Sequence, residues 1–167
     1  MNESILIEEM KDTDWEYVKS IFQEGIDTGN ATFQTETPTW EEWDKGHTEA
    51  CRFVARLADE IIGWVALSPI SSREAFRGVA EVSIYLSKNA AGKGIGSKLL
   101  SHLIQESEKS GFWTIQSMIF PENIGSIKLH HKHGFQETGT HQRMGKLNGV
   151  WRDVVRLEYR SEAVGID

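Results

Sequence analysis

One stretch decides the fold: VAEVSIYL at positions 79–86, followed after SKNAA by GKGIGSKLLSHLI at positions 92–104. Its first part is rich in β-branched and aromatic residues, which predicts a strand. Its last part places Ile95, Leu99 and Leu103 on one face, which predicts a helix. The glycines at positions 92, 94 and 96 therefore form a turn that leads from a strand into a helix.

This glycine-rich turn has the features of an anion-binding site. Glycines let a ligand approach the backbone closely, and the start of a helix favours negative charge. The spacing G-x-G-x-G differs from the G-x-G-x-x-G of dinucleotide-binding proteins and from a Walker A loop, so neither of those sites is predicted. The alternative that the glycines only satisfy the geometry of a tight turn stays open on spacing alone.

The rest of the chain consists of short alternating elements. Strands are predicted at 4–8, 52–56, 61–68, 113–119, 142–147 and 150–159, and further helices from Thr13, from Thr39 and at 126–132. Both N-terminal helices start with a capping-box pattern, and Asn148-Gly149 predicts a hairpin turn. The order β α α β β β α β α β β predicts an α/β (α+β) fold with helices on a mixed sheet. Because no linker or repeat interrupts it, we expect residues 1–167 to form one domain.

Composition excludes several classes of protein. The chain has 18 Lys and Arg against 25 Asp and Glu, a net charge of −7, so we expect no nucleic-acid partner. The single cysteine, Cys51, rules out an internal disulfide and a multi-cysteine metal site, and it favours a reducing compartment. The longest apolar run, 61–67, is far shorter than the ~18 residues of a membrane span. We therefore expect a cytoplasmic protein without a membrane partner.

Several motifs together resemble the GNAT acyltransferases. They are the strand and turn at 80–97, NIGS at 123–126 and LHHKHGF at 129–135. NATFQTE at 30–36 and GVWRDV at 149–154 are similar to the phosphinothricin and methionine sulfoximine acetyltransferase branch of that superfamily. The resemblance covers nearly the whole chain. It implies the GNAT acyl-CoA N-acyltransferase fold, with a mixed, mostly antiparallel central sheet flanked by helices.

The resemblance also implies an acetyl-CoA site, in which acetyl-CoA is the co-substrate and no metal takes part. In such a site the turn holds the pyrophosphate, the end of the strand pairs with the pantetheine arm, and the start of the next helix contacts the cofactor from the other side. The implied cofactor residues are Gly92, Lys93, Gly94, Ile95, Gly96 and Ser97 in the turn, Ile84, Tyr85 and Leu86 in the strand, and Asn123 and Ser126. One departure is Ala91, which stands where the superfamily pattern has Gln or Arg.

Acetyl transfer to an amine needs a base for the ammonium and a proton for the thiolate. Glu81 is the candidate base, because a carboxylate half-buried in a strand has a raised pKa. The alternative is that Glu81 only forms an ion pair with Arg73 or Arg77. His130 is the candidate that protonates the thiolate or helps to position the amine, with Tyr85 as an alternative acid. A metal site at His130, His131 and His133 is not expected, because only the first and last share a helix face.

The acceptor pocket is implied by the branch resemblance. Arg73 aligns with an arginine expected to clamp the substrate carboxylate, with Arg77 as its backup, and a planar guanidinium suits that group. Phe33 and Thr35 are expected to close over the substrate side chain. Trp151 and Asp153 are expected to form another wall, although a tryptophan in a domain of this size often anchors the core instead.

Three functions stay open. The first is acetylation of a small amino acid analogue such as phosphinothricin, methionine sulfoximine or methionine sulfone. The second is acetylation of a protein N-terminus or lysine, and the third is an acyl-CoA-binding module without turnover, a reading that only Ala91 favours. A homodimer is also expected, because the branch usually pairs and the hairpin that carries Trp151 offers an interface.

Overall fold

Eleven main elements follow one another in the predicted order in a computed structural model that describes residues 4–90 and 92–167. They are β1 (Ile5–Glu9), α1 (Trp15–Asp27), α2 (Trp40–Gly46), β2 (Phe53–Leu57), β3 (Glu60–Pro69), β4 (Val79–Leu86), α3 (Ile95–Lys109), β5 (Thr114–Ile119), α4 (Ile124–Lys132), β6 (Gln136–Leu147) and β7 (Val150–Arg160). Short 3₁₀ turns occur at Asp12–Asp14, Glu74–Phe76 and Lys88–Ala90.

The strands form one seven-stranded sheet in the order β1-β2-β3-β4-β5-β7-β6. β4 and β5 run parallel to each other, whereas every other neighbouring pair is antiparallel. The connection between β4 and β5 contains α3, as a crossover between parallel strands requires. The predicted mixed, mostly antiparallel sheet with flanking helices is confirmed.

Helices cover both faces of this sheet. On one face Val65 and Leu67 of β3 join a core that includes Leu99 and Leu103 of α3. On the other face Trp64 joins a cluster with residues of α1 and α2. Because successive side chains of a strand point to opposite faces, α3 and α4 lie on one side of the sheet, and α1 and α2 lie on the other.

The two predicted helix caps have different outcomes. Thr39 caps α2 as expected, because its Oγ1 accepts a hydrogen bond from the backbone N–H of Glu42 at 3.2 Å. The predicted helix cap at Thr13 is wrong. Thr13 lies inside a 3₁₀ turn, where Asp14 reaches back to accept a bond from the backbone N–H of Lys11 at 2.9 Å. α1 then begins at Trp15, and its N-cap residue Asp14 makes no side-chain hydrogen bond to the helix.

The β6–β7 hairpin turns at Asn148 and Gly149, whose φ angles of 49° and 81° are the positive values that the dipeptide predicts. β6 forms an edge of the sheet, and almost all of its residues are exposed. Cys51 is buried and free. Within 4–90 and 92–167, no helix combines the length and the apolar character needed to cross a membrane.

Candidate active site

The site begins where β4 and β5 diverge. Their ladder joins only Val79–Glu81 to Thr114–Gln116, although β4 continues to Leu86 and β5 to Ile119. The opposite edge of β4 stays paired with β3 as far as Leu86. Past Glu81, the β5-facing edge of β4 therefore carries backbone groups without a strand partner, in the part of the chain that the structure describes. A ligand with amide groups can pair with such an edge.

A cavity of about 1170 Å³ opens at this divergence. It brings together most of the side chains predicted for the chemistry and the acceptor, and part of the predicted cofactor set. These lining residues are Phe33, Thr35, Glu81, Ile84, Tyr85, Asn123, Ser126 and His130. Residues that the family resemblance implied, on elements far apart in sequence, therefore lie around one cavity.

The cavity reaches both faces of the sheet. Tyr85 packs with the cluster of α1 and α2, and Glu81 shares its face because four residues separate them along one strand. Ser117 of β5 points to the other face, where it contacts His130 of α4. The candidate base and the candidate thiolate-side group thus approach the cavity from opposite sides.

Glu81 is half-buried, and burial raises the pKa of its carboxyl group. The ion pair left open by the sequence does not form, since Arg77 pairs with Glu74 at 3.2 Å and no salt bridge of the described residues involves Glu81 or Arg73. A carboxylate that lines a cavity without a cationic partner is available to accept a proton from a bound ligand.

His130 is held at both ring nitrogens. Nδ1 lies 2.7 Å from the backbone oxygen of Ser126, and Nε2 lies 3.1 Å from Oγ of Ser117. Because a carbonyl oxygen can only accept, Nδ1 carries the hydrogen and Nε2 of the neutral ring accepts the hydroxyl hydrogen of Ser117. Burial lowers the pKa of His130, which favours this neutral form. The ring meets Phe135 edge to face.

Tyr85 packs in the sheet. Its ring stacks on Trp64 with centroids 4.9 Å apart and lies 4.9 Å from the ring of Phe22. Burial raises the pKa of Tyr85 to about 12, so the phenol keeps its proton at neutral pH. Its backbone groups face β3, where Tyr85 is paired with Trp64, so the free groups at the other edge of β4 belong to its neighbours Ile84 and Leu86.

The glycine turn adopts the backbone geometry of an anion site. Gly92 and Gly94 have φ angles of 75° and 69°, a conformation that favours glycine. Gly94 caps α3 without a side-chain hydrogen bond, so the first amides of the helix have no side-chain acceptor at the cap. Lys93 is exposed, whereas Oγ of Ser97 lies 2.7 Å from Nε2 of His133. Ala91 lies outside the described residues.

The acceptor residues divide into two groups. Phe33 lies edge-on to Phe120 at 4.8 Å and, like Thr35, lines the cavity. Arg73 and Trp151 do not line it. Trp151 is 54% exposed on the β6–β7 hairpin, which also excludes the core-anchor alternative. Asp153 accepts a hydrogen bond from the backbone of Arg143 at 2.8 Å and is not a cavity wall.

Arg152 contributes to the site without having been predicted to do so. Its guanidinium donates to the backbone oxygen of Gly29 at 2.8 Å and to Oδ1 of Asn30 at 2.7 Å, and lies 4.2 Å from the ring of Phe120. Asn123 also donates to the backbone oxygen of Asn30, at 3.3 Å. The loop that carries Phe33 is therefore attached to β7 and to the start of α4.

No group of three or more His, Cys, Asp or Glu side chains with metal-binding geometry occurs among residues 4–90 and 92–167. His131 contacts Glu137 at 3.2 Å, and His133 contacts Ser97. Of the three histidines in and after α4, His130 and His133 thus each contact a serine hydroxyl, and His131 contacts a carboxylate.

Two relatives with assigned activities are similar over much of the chain. The phosphinothricin N-acetyltransferase of Streptomyces coelicolor is 31% identical over 135 residues, which cover 76% of this chain and 79% of the relative. The L-methionine sulfoximine/L-methionine sulfone acetyltransferase of Salmonella typhimurium is 34% identical over 98 residues, covering 59% of this chain and 57% of the relative.

A solved structure extends the similarity to the whole fold. The crystal structure of a GNAT superfamily phosphinothricin acetyltransferase from Sinorhizobium meliloti in complex with AcCoA superposes with a TM-score of 0.82 at 28% identity. The superposition covers 98% of this chain and 96% of that one. The profile of the acetyltransferase (GNAT) family matches residues 11–135. The divergent strands, the glycine turn and this match agree, and the chain belongs to the acetyltransferase (GNAT) family.

Proposed function

We propose that this acetyltransferase transfers the acetyl group of acetyl-CoA to the amino group of a small amino acid analogue of the phosphinothricin or methionine sulfoximine type. The observation that carries the proposal is the cavity at the β4–β5 divergence, into which Glu81 projects without a cationic partner. The activities assigned to the relatives from Streptomyces and Salmonella support the acceptor class.

Acetyl-CoA fits the α3 and α4 side of this cavity. The turn at 92–97 offers helix-terminal amides for the pyrophosphate, and these suit an anion. At the free edge of β4, Ile84 and Leu86 offer backbone groups to the amides of the pantetheine arm. Tyr85, which lies between them and lines the cavity, remains a proposed cofactor contact. Asn123 and Ser126 line the cavity across from this edge. Since backbone amides supply the anion contacts, we expect Ala91 to leave the site functional.

Glu81 is proposed to take a proton from the substrate ammonium, directly or through water. The deprotonated amine then attacks the thioester carbon, and the bond to sulfur breaks. The raised pKa of Glu81 makes it a stronger base than an exposed carboxylate, which suits work near neutral pH. His130 is proposed to act on the sulfur side through Nε2, its only nitrogen not hydrogen-bonded to the backbone. Nε2 takes the remaining extra proton of the attacking nitrogen and passes it to the sulfur, which leaves as free thiol.

For the acceptor, Phe33 and Thr35 are proposed to cover the side chain of the amino acid analogue. Arg73 remains the proposed clamp for its carboxylate, although it stands outside the cavity lining. Trp151 also remains a proposed residue of the acceptor pocket, on the condition that the β6–β7 hairpin packs against another protein surface. A homodimer would supply such a surface, and the exposed side chains of Met144, Val150 and Trp151 on the hairpin support one.

The chain is further proposed to be a single cytoplasmic domain. One continuous sheet from β1 to β6 supports a single domain, and an acidic chain with one buried free cysteine suits a reducing compartment.

The decisive experiment measures the thiol released from acetyl-CoA with a panel of amines. The panel contains phosphinothricin, methionine sulfoximine, methionine sulfone, common amino acids, polyamines and a short peptide. Release with the first three compounds alone is the expected result. Release with the peptide alone would replace the proposal by protein acetylation. If acetyl-CoA binds and no amine releases thiol, the chain is a binding module.

A further inference from the structure

Ser117 is a buried hydroxyl in a position that the acetyl transfer does not use. It lies on β5, is 3% exposed and lines the cavity at the β4–β5 divergence. Its Oγ lies 3.1 Å from Nε2 of His130. The strand around it, TIQSMI, alternates half-buried and buried positions, and Ser117 takes a buried position that an apolar residue would normally fill.

The environment of Ser117 differs from that of the other buried serines. The structure describes three of them, Ser107, Ser117 and Ser161. Ser107 donates to the backbone oxygen of Ile104 at 2.7 Å, and Ser161 donates to a carboxylate oxygen of Glu108 at 2.6 Å. Ser117 is the one whose partner is an imidazole nitrogen, and a neutral imidazole nitrogen can remove the hydroxyl proton.

The ring of His130 is oriented for this proton transfer. The backbone oxygen of Ser126 holds the hydrogen on Nδ1, so the lone pair of Nε2 faces the Ser117 hydroxyl. A hydroxyl, a base within hydrogen-bond distance and a third group that orients the base are the parts of an activated nucleophile. His130 can act as the base only when its ring is neutral, and its lowered pKa favours the neutral ring.

We propose that Ser117 is a second reactive centre: when no acceptor amine is bound, its Oγ takes the acetyl group from acetyl-CoA, and water then hydrolyses the acetyl-serine. This inference rests on the proposed acetyl-CoA site, which places the thioester between β4 and β5. The protein would then have a slow acetyl-CoA hydrolase activity besides amine acetylation.

In the first half of the reaction, Nε2 of His130 takes the proton of Ser117 while Oγ forms a bond to the thioester carbon. The bond from carbon to sulfur breaks, and its electron pair leaves with the sulfur. The imidazolium then returns the proton to the sulfur, which departs as free thiol. Unpaired amides on the β4 edge can donate to the oxygen that carries negative charge in between.

In the second half, water occupies the place of the thiol. Nε2 takes a proton from this water, whose oxygen bonds to the acetyl carbon. The bond between that carbon and Oγ breaks, and Oγ recovers the proton from the imidazolium. The sum is acetyl-CoA plus water giving acetic acid plus CoA, so no further reagent is consumed.

The test uses the full chain with acetyl-CoA and no amine. Thiol release is followed for the wild type and for Ser117→Ala, His130→Asn and Ser107→Ala, the last removing a buried serine hydroxyl on α3. Asparagine in place of His130 can still donate to Ser126 but offers no basic nitrogen. We expect the rate of thiol release without amine to fall about 100-fold in the first two variants, a typical effect of removing a proton acceptor. Ser107→Ala should release thiol at the wild-type rate.

A second measurement does not depend on any variant. Wild-type protein is quenched in acid during turnover, and mass spectrometry of its peptides locates any added acetyl group. An acetyl group on Ser117 is expected. Amine-free release that is equal in wild type and Ser117→Ala, with no acetyl on Ser117, would overturn the inference. The amine panel and calorimetric binding of acetyl-CoA report on the proposed function independently, so the two proposals can fail separately.

Discussion

Glu81, the proposed base, combines an expected catalytic benefit with an expected cost to folding. Burial raises the pKa of its carboxyl group, and no cation compensates the charge among the described residues. The same lack of a partner makes the ionised group a stronger base and makes it unfavourable in the folded protein. Two measurements on one variant can separate these effects.

The first measurement concerns activity. Glu81→Gln keeps the shape of the side chain but cannot accept the substrate proton. We expect kcat to fall by about 100-fold or more. In the wild type, activity should decline as the pH falls through the raised pKa of Glu81, because the base becomes protonated. That acid-side decline should be absent from the residual activity of Glu81→Gln, and its persistence would contradict the assignment.

The second measurement concerns stability. A carboxyl group whose pKa is raised on folding stabilises the folded state below its unfolded pKa, and this contribution is lost as the pH rises through the folded pKa. Near neutral pH, Glu81→Gln should therefore have a higher Tm than the wild type, and the difference should shrink towards pH 4. A lower Tm at neutral pH would show that Glu81 makes a stabilising contact.

At the residue scale, the position of a predicted side chain can be compared with the structure. Glu81 was predicted from its place in the strand that the family resemblance assigns to the cofactor, and the structure places it in the cavity. Ser117 was missed because its role depends on His130, 13 residues away on another element, and a serine in a strand carries no signal by itself. Arg73 is placed outside the cavity, so its role remains a prediction.

Among the elements, α3 offers a direct test of the anion site. Gly94 precedes the helix with φ of 69°, and Gly111 follows it with φ of 89°; a Cβ at either position has open space. Alanine should therefore strain both positions similarly, by about 1–2 kcal/mol. Only Gly94→Ala should weaken acetyl-CoA binding, by about 10-fold, since its Cβ would lie where the phosphates approach the backbone.

Calorimetric titration with acetyl-CoA provides the readout, with thermal unfolding as the control for strain. Equal affinities of Gly94→Ala and Gly111→Ala for acetyl-CoA would show that the turn does not bind the cofactor. In that case the glycines would serve only the geometry of the turn, the alternative that the spacing left open.

The loop between α1 and α2 depends on Arg152. Its guanidinium holds Gly29 and Asn30 while lying over Phe120, and lysine cannot reproduce this planar arrangement. Arg152→Lys should raise KM for the acceptor by about 10-fold with a small effect on KM for acetyl-CoA. Arg156→Lys, on the same strand, is the matched control. An unchanged acceptor KM in Arg152→Lys would show that the loop is positioned by other contacts.

The order and type of the elements could be predicted because periodicity and turn residues act locally. Asn148-Gly149 and Thr39 are examples in which a few neighbouring residues suffice. The start of α1 could not be predicted, because Thr13 lies inside a 3₁₀ turn and the carboxylate of Asp14 bonds back to Lys11 instead of capping α1. The divergence of β4 and β5 leaves no local pattern, since it depends on how far two separate strands stay paired.

For the whole molecule, the exposed β6–β7 hairpin determines the expected assembly. Val150 is 60% exposed beside Trp151, at the start of β7 and next to the edge strand β6. Val150→Lys should convert the proposed dimer into a monomer, because it places a charge in an apolar contact. Ile166→Lys, at an exposed apolar residue of the C-terminal segment, should leave the dimer intact. Sedimentation equilibrium measures both, and a monomeric wild type would refute the dimer.

The divergence of the parallel strands β4 and β5 also suggests a kinetic prediction. It opens a gap in the sheet, which is lined from the α2 side by His47 and from the α4 side by His130. We expect donor and acceptor to enter this gap from opposite sides, so that neither has to leave before the other binds. Initial-rate plots for the two substrates should intersect, and an inert analogue of one substrate should not compete with the other. The point at which β4 and β5 diverge would then determine the order in which the two substrates can bind.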